Sequence, residues 1–161
     1  MLRTIAADPE GATRLLVISD GISTAGSAEL RRVEEATKAF LAEDYERAIQ
    51  NYDFAIRRRE DFFQYHLQRG LANEKLGRDD TAETDLKRSV ELYPTAVAYF
   101  ALGDIEAKRG NIDAAIEYYT PVAQGQGEIA EAAKVKLVRL DLSRNPSKYI
   151  QYGCTPDNFG N

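Results

Sequence analysis

The sequence predicts an all-α protein: three helix-turn-helix units stacked into a superhelix and closed by one further helix. Three observations lead there. Small and large residues recur together at steps of 34 and 33 positions, each period divides into two helical stretches around a polar turn, and an amphipathic segment follows the last period.

The periodic columns come first, because a fixed period specifies architecture more firmly than local propensity does. Ala36, Gly70 and Gly103 are separated by 34 and 33 positions, and Ala48, Ala82 and Ala115 repeat both steps. So do Tyr52, Leu86 and Tyr119, and also Ala55, Ser89 and Val122, while Glu60 and Pro94 stand 34 apart. Small columns mark where two antiparallel helices approach closely, since bulky side chains there would hold them apart. The large column fills the space between one pair and the next, so each unit is stable only when its neighbours cover it.

Element by element, apolar recurrence at three- and four-residue steps predicts helices at 29–42, 45–59, 63–76, 79–92, 96–109 and 112–124. The turns inside the pairs fall at Glu43-Asp44, Gly77-Arg78 and Gly110-Asn111. Asp79 and Asp80 open the fourth helix, where the macrodipole favours negative charge, and Pro94 lies just past its end, where a missing N–H is tolerated. Pro121 falls late in the sixth helix and is expected to shorten or kink it. Residues 128–143 set Ile129, Ala132, Ala133, Val135, Leu137, Leu140 and Leu142 among charges and read as the capping helix, within a unit spanning 126–144.

The stretches RGLANEKLGRDDTAETDLKRSVELYP and YFALGDIEAKRGNIDAAIEYY resemble tetratricopeptide repeats, and EDYERAIQNYDFAI carries the pattern in the first unit. The resemblance covers residues 29–125 and implies a right-handed superhelix of three repeats that binds protein or peptide partners. The sequence departs from the family pattern at Glu35, where a large apolar residue is usual, and at Arg32 and His66, where an aromatic or leucine is common. Some members carry a carboxylate clamp of Lys, Asn and Arg that grips the C-terminal acid of chaperones. The corresponding positions here are Val33, Thr37, Gln68, Val97 and Ala101, which disfavours that ligand. More distantly, the run from YPTAVAYFALGDI through VRLDLSRNPSKYI resembles the repeat region that follows the catalytic domain in some bacterial envelope zinc metallopeptidases. No HExxH motif occurs, so no catalytic residue of those enzymes is carried onto this chain.

The two ends depart from the repeat. Residues 1–28 carry the apolar run Leu15 to Ile18 and a Gly- and Ser-rich turn, and read as an arm or linker; the glycines and lysine of a phosphate loop are absent. Residues 145–161 hold aromatics without periodicity among turn formers and read as a tail.

Composition narrows the function classes. The 161 residues suit one folded body. A net charge of −5 opposes binding to a phosphate backbone, and the clusters Arg31-Arg32 and Arg57-Arg58-Arg59 do not reverse that. Cys154 has no second cysteine to pair with, and no apolar run reaches membrane-spanning length. His66 is the only histidine, so a two-histidine zinc site and most catalytic triads are excluded, and its helical position reads as a packing residue. Glu34-Glu35 and Asp79-Asp80 are adjacent on helices and diverge by about 100°, which suits solvated faces better than paired catalytic acids. Tyr118-Tyr119 and Phe62-Phe63 read as core aromatics. No cofactor, metal or enzymatic activity is expected.

The binding surface is expected on the first helix of each pair. Offsets assign it: Val33, Leu67 and Phe100 share one column, and Thr37, Leu71 and Asp104 the next, with Phe40, Gln64, Lys75 and Lys108 alongside. The expectation is a non-catalytic module that takes a peptide or protein segment in this groove, with the arm at Leu15 to Ile18 as a competing occupant over Phe40, Leu67 and Phe100. Two alternatives are an accessory domain of a larger bacterial peptidase and a small secretion-type chaperone. The compartment is cytoplasmic if the chain is complete and periplasmic if it is part of an envelope protein.

Overall fold

The computed structural model describes residues 24–150, and the side-chain surroundings of 28–148. These residues form eight helices: α1 (Thr24–Leu41), α2 (Tyr45–Ile56), α3 (Phe63–Lys75), α4 (Asp79–Leu92), α5 (Ala96–Lys108), α6 (Ile112–Ala123), α7 (Glu128–Arg144) and α8 (Pro146–Ile150). Helices pair as α1 with α2, α3 with α4 and α5 with α6, and α7 packs on α6 as α5 packs on α4. The arm expected over Leu15 to Ile18 lies outside the described residues.

Each pair turns in the same way. The N–H of Asp44 donates to Ala39 O and that of Glu43 to Phe40 O; Arg78 and Gly77 repeat this with Asn73 and Glu74, and Asn111 and Gly110 with Glu106 and Ala107. This double bond closes a helix whose next residue takes a left-handed conformation. The φ values are 60° at Glu43, 70° at Gly77 and 78° at Gly110. Two units therefore place glycine where a Cβ is penalised, and the first tolerates glutamate there.

The small columns are close approaches. A Cβ added at Gly103 would lie 2.6 Å from Cε1 of Tyr119, and one at Gly70 would lie 2.9 Å from Cγ of Leu86. The three core clusters each join the second helix of one unit to the first helix of the next: Tyr52 with Tyr65, Leu86 with Leu102 and Ile105, and Tyr119 with Ala133. A ladder of charge runs along the turns. Arg78 bonds Glu46, Arg109 bonds Asp80 at 2.5 Å, and Arg144 bonds Asp113 at 2.5 Å, the acids repeating the steps of 34 and 33.

The two ends of the stack are built differently. α5 buries Ala98, Ala101, Leu102 and Ile105 towards α4, whereas the matching positions of α1 are Arg31, Glu34, Glu35 and Lys38. Charge thus stands where an inner helix offers apolar surface, as the outer face of a terminal repeat requires. At the other end, α7 buries Ala130 and Ala133 and continues the arginine ladder, so it docks as the first helix of a fourth unit would. Its far side carries Val135 and Val138, 50% and 38% exposed. Val135 stands 32 positions after Gly103 and occupies the small column, where its branched side chain would hold a further helix away.

Several boundaries differ from those expected. α1 begins at Thr24, inside the segment read as an arm, because Thr, Ser and Gly weaken a helix by only about 0.5–1 kcal/mol each and the ladder behind them continues. α2 ends at Ile56, three residues short of the expected end, where Arg58 and Arg59 both donate to Ala55 O and tighten the turn. α6 runs through Pro121 to Ala123 and is as long as α2. Proline there removes only the bond to Glu117 O, whose exposed residue leaves that carbonyl to water. α8 lies within the expected tail, with Pro146 at its first position, where proline is favoured.

Candidate functional site

The first helices form one side of the molecule, with contacts from α3 to α5 and from α5 to α7, and a bond from Tyr65 OH to Glu29 Oε1 at 2.8 Å linking α3 to α1. Of the residues expected on this face, Val33, Phe40, Gln64, Leu71, Phe100 and Asp104 are half-buried, and Thr37, Lys75 and Lys108 are exposed. Leu67 corrects the expectation. It is only 7% exposed and belongs to the core with Leu86, Ala101 and Leu102, because α5 lies directly against it. Its column mates Val33 and Phe100 keep some surface.

The polar groups are largely committed. The Thr37 hydroxyl donates to Val33 O at 2.9 Å on its own helix. Lys108 Nζ stands 3.7 Å from Glu74 and 3.5 Å from Asp79. Asp104 accepts from Tyr119 OH at 2.6 Å and from Lys136 Nζ at 2.7 Å. Burial and then the bond to Asp104 push the Tyr119 hydroxyl well above the usual tyrosine range. Lys136 also stands 5.7 Å from the ring centre of Phe100, whose own ring packs 5.4 Å from that of Tyr119. Phe40 meets Tyr45 edge-on at 5.4 Å.

What remains is an uncharged strip of Val33, Gln64, Leu71, Val97 and Phe100, with Val97 42% exposed, bordered by paired charges and by Lys75, which holds no carboxylate among the described residues. Such a strip can bury apolar side chains of a ligand, and its borders can orient polar groups. Lys136 was not foreseen, because α7 read as a cap rather than as a fourth wall of this face. Its spacing of 32 positions from Asp104 was the available signal.

His66 lies buried at the junction of α3, α4 and the preceding turn. Its Nε2 donates to Glu60 O at 2.8 Å, since a carbonyl can only accept, and Nδ1 stands 3.7 Å from Asp85. This is a packing position, with the residue 7% exposed and Nδ1 buried. No helix among the described residues is long and apolar enough to cross a membrane.

A family model described as tetratricopeptide repeat matches residues 33–97 and 80–128. No curated protein sequence matches the chain. Among solved structures, the tetratricopeptide domain of Arabidopsis OM64 is similar with a TM-score of 0.64 at 20% identity, covering 70% of this chain and 96% of that one. The first such domain of Spaghetti (RPAP3), bound to the HSP90 peptide SRMEEVD, has a TM-score of 0.66 at 20% identity, covering 73% and 94%. The TPR2B domain of yeast Sti1, in complex with pHsp70, has a TM-score of 0.56 at 17% identity, covering 76% and 92%. At these identities the likeness is one of fold.

Proposed function

The chain belongs to the tetratricopeptide repeat family, and on that premise we propose that it is a non-catalytic interaction module that binds a protein segment along the face of its first helices. The observation that carries this reading is the uncharged strip of Val33, Gln64, Leu71, Val97 and Phe100 between paired charges. Two structural relatives hold chaperone-derived ligands, one of them the peptide SRMEEVD. The ligand here differs in kind. Val33, Thr37, Gln68, Val97 and Ala101 offer no cation at the positions matching the carboxylate clamp, so an apolar anchor rather than a terminal acid supplies the affinity.

The test is selection of dodecapeptides from a random displayed library on the immobilised chain, followed by affinity measurement of the selected peptides. Leu71→Glu and Val97→Lys should each weaken binding by about tenfold or more, the cost expected for burying an unpaired charge. Val97 is sufficiently exposed that its replacement leaves the fold intact, as circular dichroism would verify. Selected peptides that bind both variants as tightly as the parent would refute the assignment of this face.

A further inference from the structure

Among the described residues, arginine is paired along most of the helices. Arg47, Arg69, Arg78, Arg88, Arg109 and Arg144 each hold a carboxylate. Arg31, Arg32, Arg57 and Arg58 hold none among the described residues, and all four are exposed. They come from two clusters, one on α1 and one just past the end of α2, and the tertiary structure brings one member of each, Arg32 and Arg58, to Phe54. The guanidinium carbons of Arg32 and Arg58 lie 5.2 Å and 4.5 Å from the centre of that ring, and so no more than about 10 Å from each other. One N–H of Arg32 donates to Asn51 Oδ1 at 3.1 Å, which fixes the group and leaves its other donors free. Arg59 stacks on Phe62 at 4.6 Å with Glu29 4.0 Å away, and is partly neutralised.

We propose that this corner binds a short acidic segment of a partner protein, with two carboxylates held together by Arg32 and Arg58 and with Arg31 and Arg57 adding attraction. Guanidinium forks stacked on an aromatic ring are pre-organised for carboxylates, and less side-chain freedom is lost on binding. Both groups are within reach of one short peptide: residues two apart in an extended chain stand roughly 7 Å apart along the backbone, and residues four apart on a helix have Cβ atoms about 6 Å apart, both inside that limit. The surroundings select a short ligand over a long polyanion. Glu60 and Asp61 follow Arg59 directly, and the whole chain carries a charge of −5, so a nucleic acid or anionic bilayer reaching past the corner meets repulsion. This cluster shares no residue with the uncharged strip, although Arg32 and Val33 are neighbours on α1.

The probe is a fluorescein-labelled octapeptide of alternating glutamate and glycine, compared by anisotropy with its glutamine counterpart. The glutamate peptide should bind at least about tenfold tighter, and its affinity should fall as salt screens the contact. Arg32→Gln with Arg58→Gln should lose about tenfold or more while keeping the helical signal, whereas Arg88→Gln, which removes a charge on α4, should change affinity less than about twofold. Equal binding of the two peptides, or an unchanged affinity in the double variant, would overturn the proposal. So would tighter binding of single-stranded DNA or phosphatidylserine vesicles than of the glutamate peptide.

Discussion

Arg69→Met should destabilise the protein by about 3–5 kcal/mol, the range for removing one partner of a buried ion pair. Arg69 on α3 donates from Nε and one terminal nitrogen to Asp85 on α4, at 2.8 and 2.5 Å, and from the other terminal nitrogen to Asp53 on α2 at 2.6 Å. One side chain thus ties two units together. Burial disfavours its charge, but the hydrogen bonds it donates to Asp85 and Asp53 outweigh this and raise its pKa. The Asp85 side chain is 3% exposed, and its other polar neighbour, His66 Nδ1, stands 3.7 Å away, beyond hydrogen-bond distance. Methionine keeps the apolar stem and removes every donor, leaving a buried carboxylate without one. Asp85→Ala is milder, at about 1–3 kcal/mol, because Arg69 keeps Asp53 and reaches solvent. The double variant should then cost less than the two losses together, with a coupling of about 1–3 kcal/mol. Urea unfolding followed by far-ultraviolet circular dichroism gives all four corners of the cycle. A loss under about 1 kcal/mol for Arg69→Met, or strict additivity, would refute the reasoning.

Gly103→Ala should destabilise by up to about 2 kcal/mol, since overpacking costs roughly 1–3 and the helix gains about 1 from alanine; a raised thermal midpoint would contradict the 2.6 Å approach to Tyr119. Glu43→Gly should stabilise by about 0.5–1 kcal/mol by relieving the left-handed conformation at φ 60°, read as a higher unfolding midpoint. Burial first, and then hydrogen bonds to Asp104 and Glu29, raise the pKa of Tyr119 and Tyr65. Folding therefore favours their neutral forms: this stability is fully present below the ordinary tyrosine value of about 10 and is lost as pH rises beyond it. Ultraviolet titration should show Tyr119 and Tyr65, along with buried Tyr52, resisting ionisation until unfolding, and Tyr119→Phe should flatten the alkaline loss of stability.

The repeat and its turns were legible because they answer to local and recurring demands. Close approach asks for Ala or Gly at the same place in every unit, and the left-handed turn asks for glycine, so Gly70, Gly77, Gly103 and Gly110 could be read directly. Glu43 was legible only by its column, since its residue type argues against the conformation. The binding face was legible as a list of positions but not as a surface. Leu67 shares a column with Val33 and Phe100 yet is buried, because exposure depends on what the neighbouring helix brings, here Ala101 and Leu102.

By itself, then, the sequence determined the all-α class, the number of units, the turns and the position of the closing helix, all consequences of spacing along one chain. The tertiary structure alone decided what depends on contacts between distant segments. It joined Arg69 to Asp53 and Asp85, brought Lys136 of α7 to Asp104, and gathered Arg32 and Arg58 around Phe54. Apart from Arg58, which follows Phe54 by four positions, each of these contacts joins residues at least 16 positions apart and on different helices. Charge at such a distance carries no period along the chain, and only the packing of one helix on the next says which arginine finds an acid and which is left facing water.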